Sequence, residues 1–213
     1  MLQTATVEKG TYELLNRLMK DDFLSDFLLA GGTNLALQIG HRRSIDLDLF
    51  SYQSFNAQEL EKHLHENYNF VTRRVFDVNT VLGYIDEVKI DIVAHIYPLL
   101  NPPAIEDEIR FYSLQDIACM KLLAISDNGS RLKDFVDIAF LSTKMSLIEM
   151  LTCYQKKYNR PNFYHAAKGL SYFGDINFDT TIDLINTTFN WKKIEKRIQA
   201  MIKYENKVFD IAP

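Results

Sequence analysis

Residues Ile45-Asp-Leu-Asp-Leu-Phe50 alternate apolar and acidic side chains, a period of two that marks a β-strand with one face in a core. Ile45, Leu47 and Leu49 are expected to point inward, with Asp46 and Asp48 side by side on the opposite face. Two carboxylates a few ångström apart repel, and a cation between them relieves the repulsion. Mg²⁺, or Mn²⁺ in its place, suits such a pair, because it takes oxygen ligands and commonly only one or two protein carboxylates, completed by phosphates and water. Asp91 sits at the centre of another apolar run, Lys89-Ile-Asp-Ile-Val93. As a third acid converging from a neighbouring strand it would allow a two-metal site of the kind that serves in-line displacement. The competing reading pairs these acids with Arg42, Arg43 or Lys89.

The strand is preceded by a second constraint. Phe27 to Ala30 is a short apolar run ended by Gly31-Gly32, and Thr33 to Gln38 can open a helix directly after it. This strand, turn and helix sequence would aim the backbone amides of Gly31, Gly32 and Thr33 at an anion, although a plain strand-to-helix turn uses the same residues. An opening helix is expected around Tyr12, Leu15, Leu18 and Met19, and another over Ala57 to Tyr68. Strands are expected over Phe70 to Phe76, Thr80 to Ile85 and Val88 to Ile92, with Asp86-Glu87 turning between the last two. Pro98, Pro102 and Pro103 break the pattern, and from Ser113 onward the chain is helical in character. Leu114 to Ile125, Leu132 to Leu141, Ser146 to Tyr158, Phe163 to Leu170 and Trp191 to Tyr204 are the candidates. The expected fold is therefore α/β (α+β): a mixed sheet with helices over 1–112, then a helical part over 113–213 that packs onto it and completes one cleft.

The bulk numbers narrow the function class. At 213 residues, 47% hydrophobic and 24% charged, the chain reads as an ordinary soluble protein. It shows neither a leader peptide nor an apolar run long enough for a membrane, so a cytoplasmic location without membrane association is expected. Residues 1–140 carry 13 Lys+Arg against 21 Asp+Glu, whereas 141–213 carry 11 against 7, so a polyanion would meet the C-terminal part more favourably. Cys119 and Cys153 have no metal-ligand spacing and read as buried free thiols. The five histidines have none either; His63 and His65 lie on a helix, where i and i+2 point apart. No nucleophile-elbow signature supports a hydrolase triad.

The run from Leu29 to Phe50 resembles the first two motifs of the AbiEii/AbiGii toxin family of nucleotidyltransferases, in the DNA polymerase β-like superfamily: a Gly-Gly turn opening a helix, then a strand with Asp-x-Asp. Two further motifs of that family are matched in order. Asp116-Ile-Ala-Cys-Met-Lys121 fits an Asp followed by a Lys, and Lys133-Asp134-Phe-Val-Asp137 fits a basic residue and Asp opening a helix. The resemblance covers residues 28–141. An arginine that the family often carries between these two helices is missing at its usual place, and Arg131 would have to serve from a shifted position.

The resemblance implies a metal-dependent transfer of a nucleoside monophosphate from an NTP to an acceptor, on the toxin side of a toxin–antitoxin or phage-defence system. The tRNA 3′ end or another RNA is the acceptor it points to, and a cognate antitoxin protein is the implied partner. Asp46, Asp48 and Asp91 would bind metal, with Asp91 as a possible base. Lys121 would neutralise the triphosphate, and Asp134 would hold that lysine. Gly31, Gly32, Thr33, Arg43, Asp116, Lys133 and Asp137 would contact substrate. Blander roles stand beside these: Asp116 as a helix cap, Asp137 as a helix-surface charge, Lys121 as a snorkelling surface lysine. Two other function classes are open: a nucleotide- or antitoxin-binding protein without turnover, and a small-molecule nucleotidyltransferase of the antibiotic-modifying type.

Overall fold

The strand around Asp48 forms, but it begins later than the alternation suggests. In the computed structural model, which describes residues 1–76 and 78–213, the first of two units, Met1–Ser113, starts with α1 (Lys9–Met19), β1 (Leu28–Leu29), α2 (Gly31–Ile39) and β2 (Leu47–Ser51). It continues through α3 (Ala57–Asn67), β3 (Phe70–Val75), β4 (Thr80–Ile85), β5 (Val88–Ala94), β6 (Ala104–Glu106) and β7 (Ile109–Phe111). Leu47 and Leu49 are buried as expected, whereas Ile45 is 57% exposed and precedes the strand, as does Asp46. The cause is local. Ser44 donates its N–H to the Thr6 carbonyl at 2.9 Å and bridges to Val7, so the chain there is tied to the N-terminal segment. The ladder with β5 starts only at Leu47 opposite Ile90.

The seven strands run in the order β3-β4-β5-β2-β1-β7-β6. β2 is parallel to β5 and antiparallel to β1, which in turn is parallel to β7. The β4–β5 connection turns at Asp86 and Glu87, both with positive φ, the conformation that suits the twist of a two-residue hairpin. The β6–β7 hairpin repeats this device at Asp107 and Glu108; its three-residue strands are too short to show an alternation, so the sequence did not announce them. One face of the sheet is sealed by an apolar core that includes Leu15, Leu18, Leu47, Leu49, Leu60 and Ile92. Along β2 and β5 the inward residues alternate with Asp48, Phe50, Asp91 and Val93 on the other face.

The second unit, Leu114–Pro213, is helical: α4 (Leu114–Asp127), α5 (Leu132–Leu141), α6 (Leu147–Lys157), α7 (Tyr164–Leu170) and α8 (Trp191–Lys203). α6 starts on a capping box, in which Ser146 accepts from the Glu149 N–H while the Glu149 carboxylate accepts from the Ser146 N–H, satisfying two helix-end donors at once. No helix among the described residues is long and apolar enough to cross a membrane.

Candidate active site

In the first unit the site is built by one strand crossing. β1 and β2 are antiparallel with Leu29 opposite Leu49, and the Ala30 N–H donates to the Asp48 carbonyl at 2.8 Å. The start of α2 therefore lies directly beside Asp48. Gly31 holds φ +64°, and a Cβ added there would lie 1.8 Å from Asp48 Oδ2. Glycine is required twice over, once for the backbone and once to make room for the carboxylate. The N–H groups of Gly31, Gly32 and Thr33 precede the first helical bond, from the Asn34 N–H to the Ala30 carbonyl at 3.3 Å, and a helix leaves its first donors to other partners. Gly32 is overlain by the Arg42 guanidinium, whose Nη2 would stand 2.3 Å from an added Cβ. Thr33 is buried and its hydroxyl donates to the Asp46 carbonyl while meeting the Ser44 hydroxyl at 2.9 Å. The hydroxyl thus fixes the approach to β2, and toward an anion Thr33 offers its amide.

Asp91 is brought to this point by register. β2 and β5 pair in parallel with Asp48 opposite Asp91, and Asp91 is in turn opposite Leu82 of β4, which faces Arg74 of β3. The two carboxylates therefore rise from adjacent strands on one face. Asp91 is held by Lys89 Nζ at 2.6 Å and Arg73 Nη2 at 3.2 Å. Arg73 reaches it because the β3–β4 register shifts between Thr72 and Arg74, and an extra residue in a strand turns its side chain out of the regular pattern. Among the described residues no group of three or more His, Cys, Asp or Glu is arranged to hold a metal ion. The carboxylates of Asp46 and Asp48 fit a hard cation held by one or two carboxylates and completed by phosphate oxygens, which is the usual manner of Mg²⁺. Asp46 and Asp48 are half-buried and Arg43 is exposed on the segment before them.

The remaining expected site residues lie in the helical unit, where lysines and carboxylates form buried pairs. Lys121 of α4, 7% exposed, binds Asp134 Oδ1 at 2.7 Å and Asp137 Oδ2 at 2.8 Å, both one face of α5. Arg131 Nε approaches the other Asp134 oxygen at 3.5 Å, too long for a good hydrogen bond but close enough for Coulomb attraction. Asp116 is wholly buried and bonded to the equally buried Lys157 of α6 at 2.8 Å. Arg131 and Lys133 border a pocket of about 260 Å³ with Ser130, Asn177 and Thr180, at the start of α5. Burial pushes the Cys119 and Cys153 thiols up, so neither supplies a thiolate nucleophile; Cys119 is buried and Cys153 half-buried.

The sequence names Arg42 and Arg43 as equivalent candidates in a loop, and only the fold lays Arg42 over Gly32. Two further residues carried no usable signal in the sequence. Arg73 depends on a bulge, and Lys157 meets Asp116 across 41 residues of chain.

The family model for the nucleotidyl transferase AbiEii toxin of type IV toxin–antitoxin systems matches residues 13–205. An uncharacterized protein of Aquifex aeolicus is 30% identical over 203 residues, covering 92% of this chain and 96% of its own. Among solved structures, a putative nucleotidyltransferase of Helicobacter pylori matches with TM-score 0.57 at 18% identity, covering 93% of this chain and 96% of that one. An antigenic nucleotidyltransferase-like protein of Paracoccidioides brasiliensis matches with TM-score 0.53 at 16% identity, over 96% and 99% of the two chains. At these identities the two structures speak for the fold.

Proposed function

Because the chain belongs to the nucleotidyl transferase AbiEii toxin family of type IV toxin–antitoxin systems, and is as such a nucleotidyltransferase, we propose that it moves a nucleoside monophosphate from an NTP to an RNA acceptor, with the tRNA 3′ end foremost. The observation that carries the site assignment is the alignment of Asp48 with Asp91 on adjacent strands, with Gly31 emptied of a side chain beside Asp48.

Asp46 and Asp48 would hold Mg²⁺, or Mn²⁺ in its place. When bound, the ion supplies positive charge to the phosphate oxygens as negative charge develops. The amides of Gly31, Gly32 and Thr33, with Arg42 beside them, face the anionic phosphates. An acceptor hydroxyl attacks the α-phosphorus, the bond from that phosphorus to the bridging oxygen breaks, and pyrophosphate leaves with the bonding electrons. The hydroxyl proton passes to Asp91, which must first loosen its contacts with Lys89 and Arg73. Arg43, exposed on the segment before Asp46, would meet substrate phosphate. In the helical unit, Lys121 could neutralise triphosphate only by exchanging Asp134 or Asp137 for a phosphate oxygen, which gives those two carboxylates a holding role. Lys133 and Arg131 offer cationic contacts in their pocket, and Asp116, locked to Lys157, positions α4. Catalysis of this kind is largely positioning and electrostatics. A cytoplasmic site of action and a neutralising antitoxin protein follow from the same reading.

The test is incubation of the protein with each labelled NTP, Mg²⁺ and total RNA, comparing the wild type with Asp48→Ala. Label entering small RNA with the wild type alone supports the reading. Nucleotide binding without transfer to any acceptor would favour a binding protein, and label entering only small molecules would favour an antibiotic-modifying type of enzyme.

A further inference from the structure

The sheet face that carries Asp48 and Asp91 also carries a row of rings. Phe50 follows Asp48 by two residues within β2 and so shares the carboxylates' face, and His95, one residue past the end of β5, brings its ring beside it. Their ring centroids are 6.1 Å apart, and His95 is 4.8 Å from Tyr97. At a strand rise near 3.3 Å per residue, the row runs from roughly 7 to 13 Å beyond the carboxylate pair. The backbone fixes it: the His95 N–H donates to the Ser51 carbonyl at 2.7 Å, and the Tyr97 N–H to the His95 carbonyl at 2.7 Å. Tyr97 remains 39% exposed.

Sheet order says what this row can serve. The glycine turn approaches Asp48 from the β1 side of β2, whereas Asp91, His95 and the arginines of β3 lie on the β5 side. A triphosphate held at the glycine amides is therefore on one flank, His95 and Tyr97 adjoin the opposite flank next to the proposed base, and Phe50 stands on β2 between them. That second flank is also cationic. Arg74 lies opposite Leu82, two strands from Asp91, and its guanidinium stacks on Phe76 at 4.3 Å. Rings with arginines two strands away match an unpaired nucleic-acid end, whose bases stack on π faces while its phosphodiesters meet positive charge.

We propose that Phe50, His95 and Tyr97 form the stacking platform for the unpaired terminal base that bears the acceptor hydroxyl, with Arg74 meeting the backbone behind it. This rests on the nucleotidyl-transfer reading for its chemistry, yet it makes a separate statement about binding. The platform positions the acceptor beside Asp91 and leaves the incoming nucleotide to the glycine turn.

The experiment uses a short single-stranded RNA ending in 2-aminopurine, whose fluorescence falls on stacking, mixed with the whole protein in the absence of NTP. The wild type should quench the terminal base. His95→Ala with Tyr97→Ala should weaken RNA binding roughly 5- to 100-fold, the range expected for losing base–aromatic stacks. His95→Phe, which keeps a ring, should restore most of it. In transfer assays the same double variant should raise the KM for RNA by a similar factor while the KM for NTP stays within about twofold. Quenching by a wild type that transfers to nothing would leave the platform standing and sink the transfer reading. Transfer to RNA with an unchanged acceptor KM in the variants would overturn the platform, as would absence of quenching or a rise in the NTP KM instead.

Discussion

Replacing Gly31 by alanine tests whether the position of one carboxylate oxygen governs this site. The new methyl would lie 1.8 Å from Asp48 Oδ2, so the carboxylate must retreat by about 1.5 to 2 Å to reach ordinary contact distance. It cannot do so by a simple backbone adjustment, because the Ala30 N–H is bonded to the Asp48 carbonyl at 2.8 Å. A displacement of about 1 Å at a reacting centre costs on the order of 100-fold in rate. The positive φ of Gly31 adds about 1–2 kcal/mol of strain for an alanine, which for a chain of this size lowers Tm by roughly 2–8 °C. Gly31→Ala should therefore remain folded at 25 °C and lose about 100-fold in kcat, measured as label transfer at saturating NTP. Gly32→Ala is the control: there the added Cβ meets the Arg42 guanidinium, so NTP binding should suffer more than kcat. A Gly31→Ala protein that keeps its thermal stability and transfers label at the wild-type rate would refute the reasoning, since the Asp48 carboxylate could then move without consequence.

Three further outcomes follow from the packing. Lys157→Met leaves the Asp116 carboxylate buried without its ammonium and should cost about 3–5 kcal/mol, most of it recovered by adding Asp116→Leu; urea unfolding of the two variants decides this, and equal loss in both would contradict it. Asp21 accepts from His63 at 2.7 Å, the Tyr68 hydroxyl at 2.8 Å and the Phe23 N–H at 2.9 Å; burial alone would raise its carboxyl, but these bonds outweigh burial and hold it below the ordinary value. The unfolded chain then binds the extra proton, so the stabilisation is present above about pH 3.9 and is lost as pH falls through the lower folded value, and Asp21→Asn should flatten the acid limb of stability against pH. Ser146→Ala removes the cap of α6 and should cost about 1 kcal/mol in denaturant unfolding, with the Glu149 carboxyl, now held low by the Ser146 backbone and hydroxyl, returning toward its ordinary titration range.

What could be read from the chain before folding was whatever depends on neighbours in sequence. Periodicity of two located β2, runs rich in β-forming residues located β3, β4 and β5, apolar spacing located α3, and helical character located the helices after Ser113. The pairing of Asp86 with Glu87 announced its hairpin. At Ile45 the alternation continues in the sequence, but the chain is drawn aside where Ser44 is tied to Thr6 and Val7. The three residues each of β6 and β7 carry too little pattern to show in the sequence. Lys121 and Asp116 were visible as charges on helices, but their burial was not, because a charge enters a core only where a distant partner arrives to meet it.

The direction of Asp48 in its strand and the glycines before it are local facts, and the sequence alone determined them: side-chain direction in a strand and the freedom of glycine depend on nothing farther than the next residue. Asp46 is different, since it lies ahead of the strand where Ser44 is tied to Thr6 and Val7. Which groups stand around Asp48 was decided by tertiary structure. Strand register set Asp91 opposite Asp48, a bulge delivered Arg73, and sheet order put the glycine turn on one flank and the aromatic row on the other. Register and order are chosen by how a whole apolar face is buried at once, and no single segment of the chain carries that information.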